Sequence, residues 1–228
     1  VRRSGAVFGT AVALLGMAGA PSSAGEIPEA TLVLEATVGL PGRVSAAAPP
    51  RFVLMRDRRV FIGGTDGVFV GLLDKDEAKW IEERVRDLRK RGLLSPSVSF
   101  GNDATKRLRL RIPGGSPTEV VVTGDPADAP PALQPLAGFL SDLLRFHHPS
   151  LRPFAPEAYA LSAREGSLVG GCRSWQFSVP LEDARTGPRR VAAAEAERWP
   201  TGANPASVCT EGRRFVVTLR PLLPGEAP

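Results

Sequence analysis

Residues 51–92 read RFVLMRDRRVFIGGTDGVFVGLLDKDEAKWIEERVRDLRKRG, and the pattern changes once along them. The first part is strand-like. Runs 51–55 (RFVLM) and 60–62 (VFI) flank the charged turn Arg56-Asp57-Arg58-Arg59, and residues 63–67 (GGTDG) turn the chain again before 68–70 (VFV). The second part is helical. Asp74 is a good N-cap with Glu77 three residues on, Ala78, Ile81, Val85 and Leu88 recur at helical spacing, and Gly92 supplies the stop. The spacing predicts a helix over 75–91, with Glu82–Arg86 and Asp87–Arg91 as i,i+4 pairs on its exposed side.

A strand precedes this unit, and a second hairpin and helix follow it. Residues 31–38 (TLVLEATV) precede it as a strand, joined by the connector 39–50 (GLPGRVSAAAPP). After it, residues 107–112 (RLRLRI) alternate arginine with Leu108, Leu110 and Ile112, residues 113–117 (PGGSP) turn, and residues 119–123 (EVVVT) return. A second helix is expected over 132–146, its apolar stripe being Leu133, Leu136, Leu140, Leu143 and Leu144. Two hairpins, each followed by a helix, make an α+β fold: an antiparallel sheet with two helices packed on one face.

From Pro149 the composition shifts toward proline and arginine. Strands are expected at 157–164 (EAYALSAR), 174–179 (SWQFSV) and 214–219 (RFVVTL), with a short helix-like stretch at 191–199. Cys172 and Cys209, 37 positions apart, are the only cysteines, and an even count points to a disulfide. The expected division is therefore 1–24 as a signal peptide, 25–148 as the hairpin-helix-hairpin-helix domain, and 149–228 as a small, disulfide-pinned, β-rich lobe.

The signal reading rests on Arg2 and Arg3, the apolar run 6–20 (AVFGTAVALLGMAGA), and small residues at Ser22 and Ala24 that favour cleavage after Ala24. The apolar run is shorter than the roughly 20 residues a spanning helix needs. No cysteine follows it to carry a lipid, so a released protein, secreted or periplasmic, is expected. Losing Arg2 and Arg3 from 29 basic residues against 24 acidic ones lowers the formal charge from +5 to +3. Lysine occurs four times (Lys75, Lys79, Lys90, Lys106), and the arginine excess matches GC-rich codon usage better than a nucleic-acid partner.

Three stretches carry a family likeness: 51–64 (RFVLMRDRRVFIGG), 199–209 (WPTGANPASVC) and 213–226 (RRFVVTLRPLLPGE). In these the chain resembles uncharacterised secreted proteins and lipoproteins of GC-rich bacteria, whose last strand closes in Arg-Pro-Leu-Leu-Pro. Two departures stand out: Arg58 occupies the place of the hairpin glycine, and the lipoprotein cysteine is missing. The resemblance implies compartment and fold class, and no activity.

Reactive motifs are scarce. No G-x-S-x-G elbow, P-loop or dinucleotide fingerprint is present. His147 and His148, the only histidines, are read as sitting at the C-terminus of the second helix, where the helix dipole favours them and adjacent side chains diverge. The string Asp74-Lys75-Asp76-Glu77 lacks the spread of oxygens calcium requires and serves as a helix start. No metal site and no cofactor are expected. One feature remains. Arg107, Arg109 and Arg111 share a strand face beside Lys106, and like charges at period two repel unless something offsets them. Acidic neighbours would do so, or the stripe serves as an anion-binding surface for an envelope component or another exported protein. Aromatic content of 6 % argues against nucleic acid. The leading expectation is a non-enzymatic binding or interaction protein of the cell envelope or extracellular space. A secreted hydrolase with a scattered site and an inhibitor of another exported protein are the alternatives.

Overall fold

The computed structural model describes residues 26–38, 48–64, 67–114, 117–166, 168, 171–199 and 205–228. The expected signal peptide, most of the connector 39–50 and the tips of two turns lie outside them. The chain begins with β1 (Ala30–Val38), β2 (Phe52–Met55), β3 (Arg59–Gly64) and β4 (Gly67–Leu72), then α1 (Lys75–Lys90). There follow β5 (Ser97–Phe100), β6 (Lys106–Ile112), β7 (Thr118–Gly124), α2 (Gln134–Leu144) and the short β8 (Arg152–Pro153).

These strands form one sheet in the order β5-β7-β6-β1-β2-β3-β4-β8. Every pairing is antiparallel except β5 with β7. The β2–β3 turn passes through Arg58 at φ +71°, the left-handed region usually left to glycine. Strand alternation sends Leu32, Leu34, Phe52, Leu54, Val60, Leu108, Leu110, Val120 and Val122 to one face. That face meets the buried stripes of both helices: Ala78, Ile81, Val85 and Leu88 from α1, and Leu136, Ala137, Phe139, Leu140 and Leu143 from α2. Both helices thus lie on a single face, as the hairpin-helix repetition leads one to expect.

α1 starts as its sequence prescribes, with a complete Asp74–Glu77 capping box, and Gly92 follows it at φ +69°. Asp87 meets Arg91 at 2.9 Å; no ion pair joins Glu82 to Arg86 among the described residues, and Lys79 pairs with Glu83 at 3.8 Å. α2 is shorter than the expected 132–146, because Pro131–Leu133 form a separate 3-10 turn and the last helical residue is Leu144.

The C-terminal part forms a second sheet with its own core. Its elements are β9 (Ala158–Glu165), α3 (Leu181–Thr186), β10 (Arg189–Ala192), α4 (Ala193–Ala196), β11 (Ala206–Thr210) and β12 (Arg213–Pro221), in the order β10-β9-β12-β11. Leu161, Ala163, Val208, Val217 and Leu219 face Phe177, Ala184, Ala196 and Trp199. Cys172 and Cys209 are bridged, their Cα atoms 5.4 Å apart. Residues 174–179 are not the expected strand. Only Arg173 bridges to Val208, after which the Ser178 N–H is taken by the Glu195 carboxylate and the Trp175 indole by the Val179 carbonyl. Phe177 makes ring contacts with both Trp175 and Trp199, and these, not a strand ladder, hold the segment.

After β12 the tail returns to the first sheet. Leu223 joins Ile27, Val33, Val53, Phe61 and Val68 on the face opposite the helices. The Ala227 N–H reaches the Glu26 carbonyl at 3.5 Å.

Candidate functional site

Three side chains meet where α1 begins and the chain leaves α2. The capping box sets the first. Asp74 Oδ1 accepts the N–H groups of Asp76 and Glu77, both at 2.8 Å, and Glu77 Oε2 accepts the Asp74 N–H at 2.8 Å. Glu77 is thereby fixed with its second oxygen, Oε1, turned toward the end of α2.

The second is delivered by Arg51. Its Nε and Nη2 donate to the Leu144 carbonyl at 3.1 and 2.8 Å, and its Nη1 donates to the Gly63 carbonyl at 2.7 Å. This guanidinium closes α2 against the sheet. Phe146 then packs edge-on against Phe52 at 5.1 Å and stacks on the His148 ring at 6.4 Å. His148 therefore lies four residues beyond the helix, not at its last turn, and the helix dipole has no part in holding it. Its Nε2 faces Glu77 Oε1 at 3.1 Å and its Nδ1 faces Ser150 Oγ at 2.6 Å.

Ser150 is the third. Its Oγ accepts the Leu72 N–H at 3.0 Å and donates to the Leu72 carbonyl at 3.2 Å, extending the β4–β8 ladder with a side chain. The Ser150 N–H also points at His148 Nδ1, at 3.2 Å. A ring nitrogen that receives an N–H is an acceptor, so the proton of the neutral imidazole belongs on Nε2, where the Glu77 carboxylate receives it.

The network forms the wall between two grooves. One, of about 380 Å³, has an apolar floor of Leu73, Ile81 and Phe146, a half-exposed Trp80 and a rim carrying Asp74, Asp76 and Glu77. The other, of about 470 Å³, is lined by Ser150, Gly71, Leu72 and Arg152, with Asp57 and Arg59. Burial works to raise the Asp57 carboxyl, but the backbone N–H, side chain and charge of Arg59 outweigh it and hold it below its ordinary value. A Cβ at Gly71 would come within 2.7 Å of Ser150 Oγ.

The arginine stripe lies elsewhere, on the sheet face opposite the helices. Arg109 and Arg111 both reach Glu35 on β1, at 4.0 and 2.9 Å, and Arg109 also meets Glu119 on β7 at 3.5 Å. Lys106 pairs with Asp125, which raises the lysine, and the same bond together with the Ala127 N–H lowers the aspartate. Arg107, opposite Thr37, is exposed. The stripe is thus three residues in register, of which Arg109 and Arg111 share one glutamate.

The Glu77–His148–Ser150 contact leaves no periodic signal in the amino-acid sequence, because Glu77 and His148 are 71 positions apart. Its only local trace is the His148-Pro149-Ser150 turn. Among the described residues no group of three or more His, Cys, Asp and Glu side chains could hold a metal ion. No protein-family model, curated protein or solved structure matches the chain.

Proposed function

We propose that this chain is an exported protein that acts by binding, and that it receives a cationic, apolar-anchored segment of another exported protein in the groove beside Trp80. Three features support the compartment: the signal-like residues 1–24, the Cys172–Cys209 bridge suited to an oxidising space, and the absence, among the described residues, of any helix long and apolar enough to cross a membrane. The observation that carries the binding role is Trp80. It is 47 % exposed at the edge of an apolar floor, where an aromatic side chain ordinarily anchors a partner. The acidic rim favours a basic segment over an acidic one.

The test is a fluorescence titration with two peptides of equal length, one alternating leucine with lysine and one alternating leucine with glutamate. The basic peptide should change the emission saturably, more weakly as salt rises, and the change should vanish in Trp80→Phe, which leaves Trp175 and Trp199 in place. Asp76→Asn should weaken the basic peptide and leave the acidic one unaffected. Equal responses to both peptides, or no saturable response, would remove the proposal.

A further inference from the structure

We propose that Ser150 is the nucleophile of an acyl-hydrolysing site, with His148 as its base, Glu77 as the residue that positions the base, and small carboxylate-bearing esters as the substrate class. This goes beyond the binding role and does not depend on it.

A histidine serves as a base toward a hydroxyl only when the nitrogen facing that hydroxyl is free of its proton, and a carboxylate on the opposite nitrogen enforces that tautomer. Here Glu77 Oε1 receives Nε2 at 3.1 Å, and Nδ1 faces Ser150 Oγ at 2.6 Å. The Ser150 N–H directed at the same Nδ1 places the resting proton of the neutral ring on Nε2. Glu77 does not drift, because its other oxygen is the capping-box acceptor for Asp74. His148 is enclosed, with 16 % of its side chain exposed, whereas Ser150 is exposed on the wall of the larger groove. The order of carboxylate, base and accessible hydroxyl is the one nucleophilic catalysis requires, with the two ring nitrogens in exchanged roles relative to the usual serine hydrolases.

The groove suggests the substrate. Arg152 lines it beside Ser150 and makes no ion pair among the described residues, so it offers a guanidinium to a carboxylate. Gly71 keeps the space over Ser150 Oγ free of a side chain.

The chemistry balances with water as the only co-reactant. The Ser150 hydroxyl turns its proton from the Leu72 carbonyl to His148 Nδ1, and Oγ bonds to the ester carbonyl carbon as that proton passes to Nδ1. The acyl–oxygen bond of the ester breaks, and the departing alcohol oxygen takes the proton back. Water then attacks the acyl-serine, its proton passing through Nδ1 to Ser150 Oγ, and the carboxylic acid leaves.

The experiment treats the whole purified chain with an alkyl fluorophosphonate and, separately, with the 4-nitrophenyl esters of acetate and of succinate. Peptide mapping should place the phosphonyl group on Ser150. Esterase rate should fall by about 10²-fold or more in both Ser150→Ala and His148→Gln. The second variant retains the Ser150–Leu72 bonds, so its loss of labelling is not a loss of fold. Glu77→Gln keeps the cap and should lower kcat with KM little changed, a split that a purely structural role would not produce. Arg152→Gln should abolish the preference for the succinate ester. The proposal is overturned if Ser150 is not labelled, if labelling is unchanged in His148→Gln, or if hydrolysis persists in Ser150→Ala.

Discussion

Arg220 Nη1 donates to Glu226 Oε1 at 2.8 Å, and the two side chains are 5 % and 0 % exposed. The second oxygen of Glu226 takes the Leu223 N–H at 2.9 Å, and its carbonyl is reached by Arg190 at 3.3 Å. The Glu226 carboxylate therefore secures the tail to β12, and its backbone carbonyl ties it to β10, while Leu223 is seated on the first sheet. Glu226→Ala leaves Arg220 buried without its partner and should cost about 3–5 kcal/mol in a denaturant titration.

Burial pushes the Glu226 carboxyl above its ordinary value, overriding Arg220, the Leu223 N–H and Arg111, which pull it down. A carboxyl raised in the folded state contributes most stability below its unfolded value, and loses that contribution as pH rises through the folded one. The melting temperature of the wild type should accordingly fall relative to Glu226→Gln between about pH 4 and neutrality. A difference that is flat, or that grows in favour of the wild type, would contradict the assignment.

The arginine stripe can be separated residue by residue. Glu35, with 14 % of its side chain exposed, is shared by Arg109 and Arg111. Replacing both by glutamine should destabilise the fold by roughly 1.5–3 kcal/mol, the range for hydrogen bonds to charged groups. Arg107→Gln should stay within about 0.5 kcal/mol. Adsorption to acidic vesicles that survives the double replacement would show that an anionic surface needs only Arg107 and Lys106.

Reduction of the Cys172–Cys209 bridge should remove about 3–4 kcal/mol in the chain-entropy model for a loop of this length. Because the bridge fastens the segment holding Trp175 and Phe177, the loss should appear first in the emission of Trp175 and Trp199. Non-reducing peptide mapping should recover the two cysteines linked.

Gly124 sits at φ +104°, and a Cβ there would lie 1.7 Å from the Phe100 carbonyl oxygen. Gly124→Ala therefore combines a strained backbone with a collision between β7 and β5, and should cost roughly 2–4 kcal/mol. Amides of Ser97–Phe100 should then exchange with solvent faster than those of β6, which hydrogen exchange by NMR can resolve.

Expression of the full chain in a bacterial host should release a form beginning at Gly25. Edman sequencing of the exported product decides it, and a product retaining Val1 would remove the signal reading.

Elements with a local, repeated signal are legible in the amino-acid sequence. α1 carries its own cap, stripe and stop, and β6 carries alternation and β7 a run of valines on either side of a Pro-Gly turn. Elements that depend on distant partners are not. β5 is four residues long and its ladder partner, β7, comes only after another strand; α3 is six residues without a side-chain cap. Residues 174–179 alternate like a strand, yet their hydrogen bonds run through the side chains of Glu195 and Trp175, which no periodicity encodes. The Glu77–His148–Ser150 contact is hidden for the same reason, since each of its residues already has an ordinary local explanation.

The sheet order has a mechanical consequence. α1 leaves β4 and delivers the chain to β5, and these strands stand six spacings apart in the sheet, about 29 Å at ~4.8 Å per strand. A 16-residue helix is about 24 Å long, so α1 reaches nearly from one flank to the other. It works as a tie-rod. Peeling β4 away pulls through α1 on the far edge, and pulling on β5 loads the near one. Drawn apart in an optical trap, this sheet should hold to a single high force and then give way in one step, not unzip strand by strand.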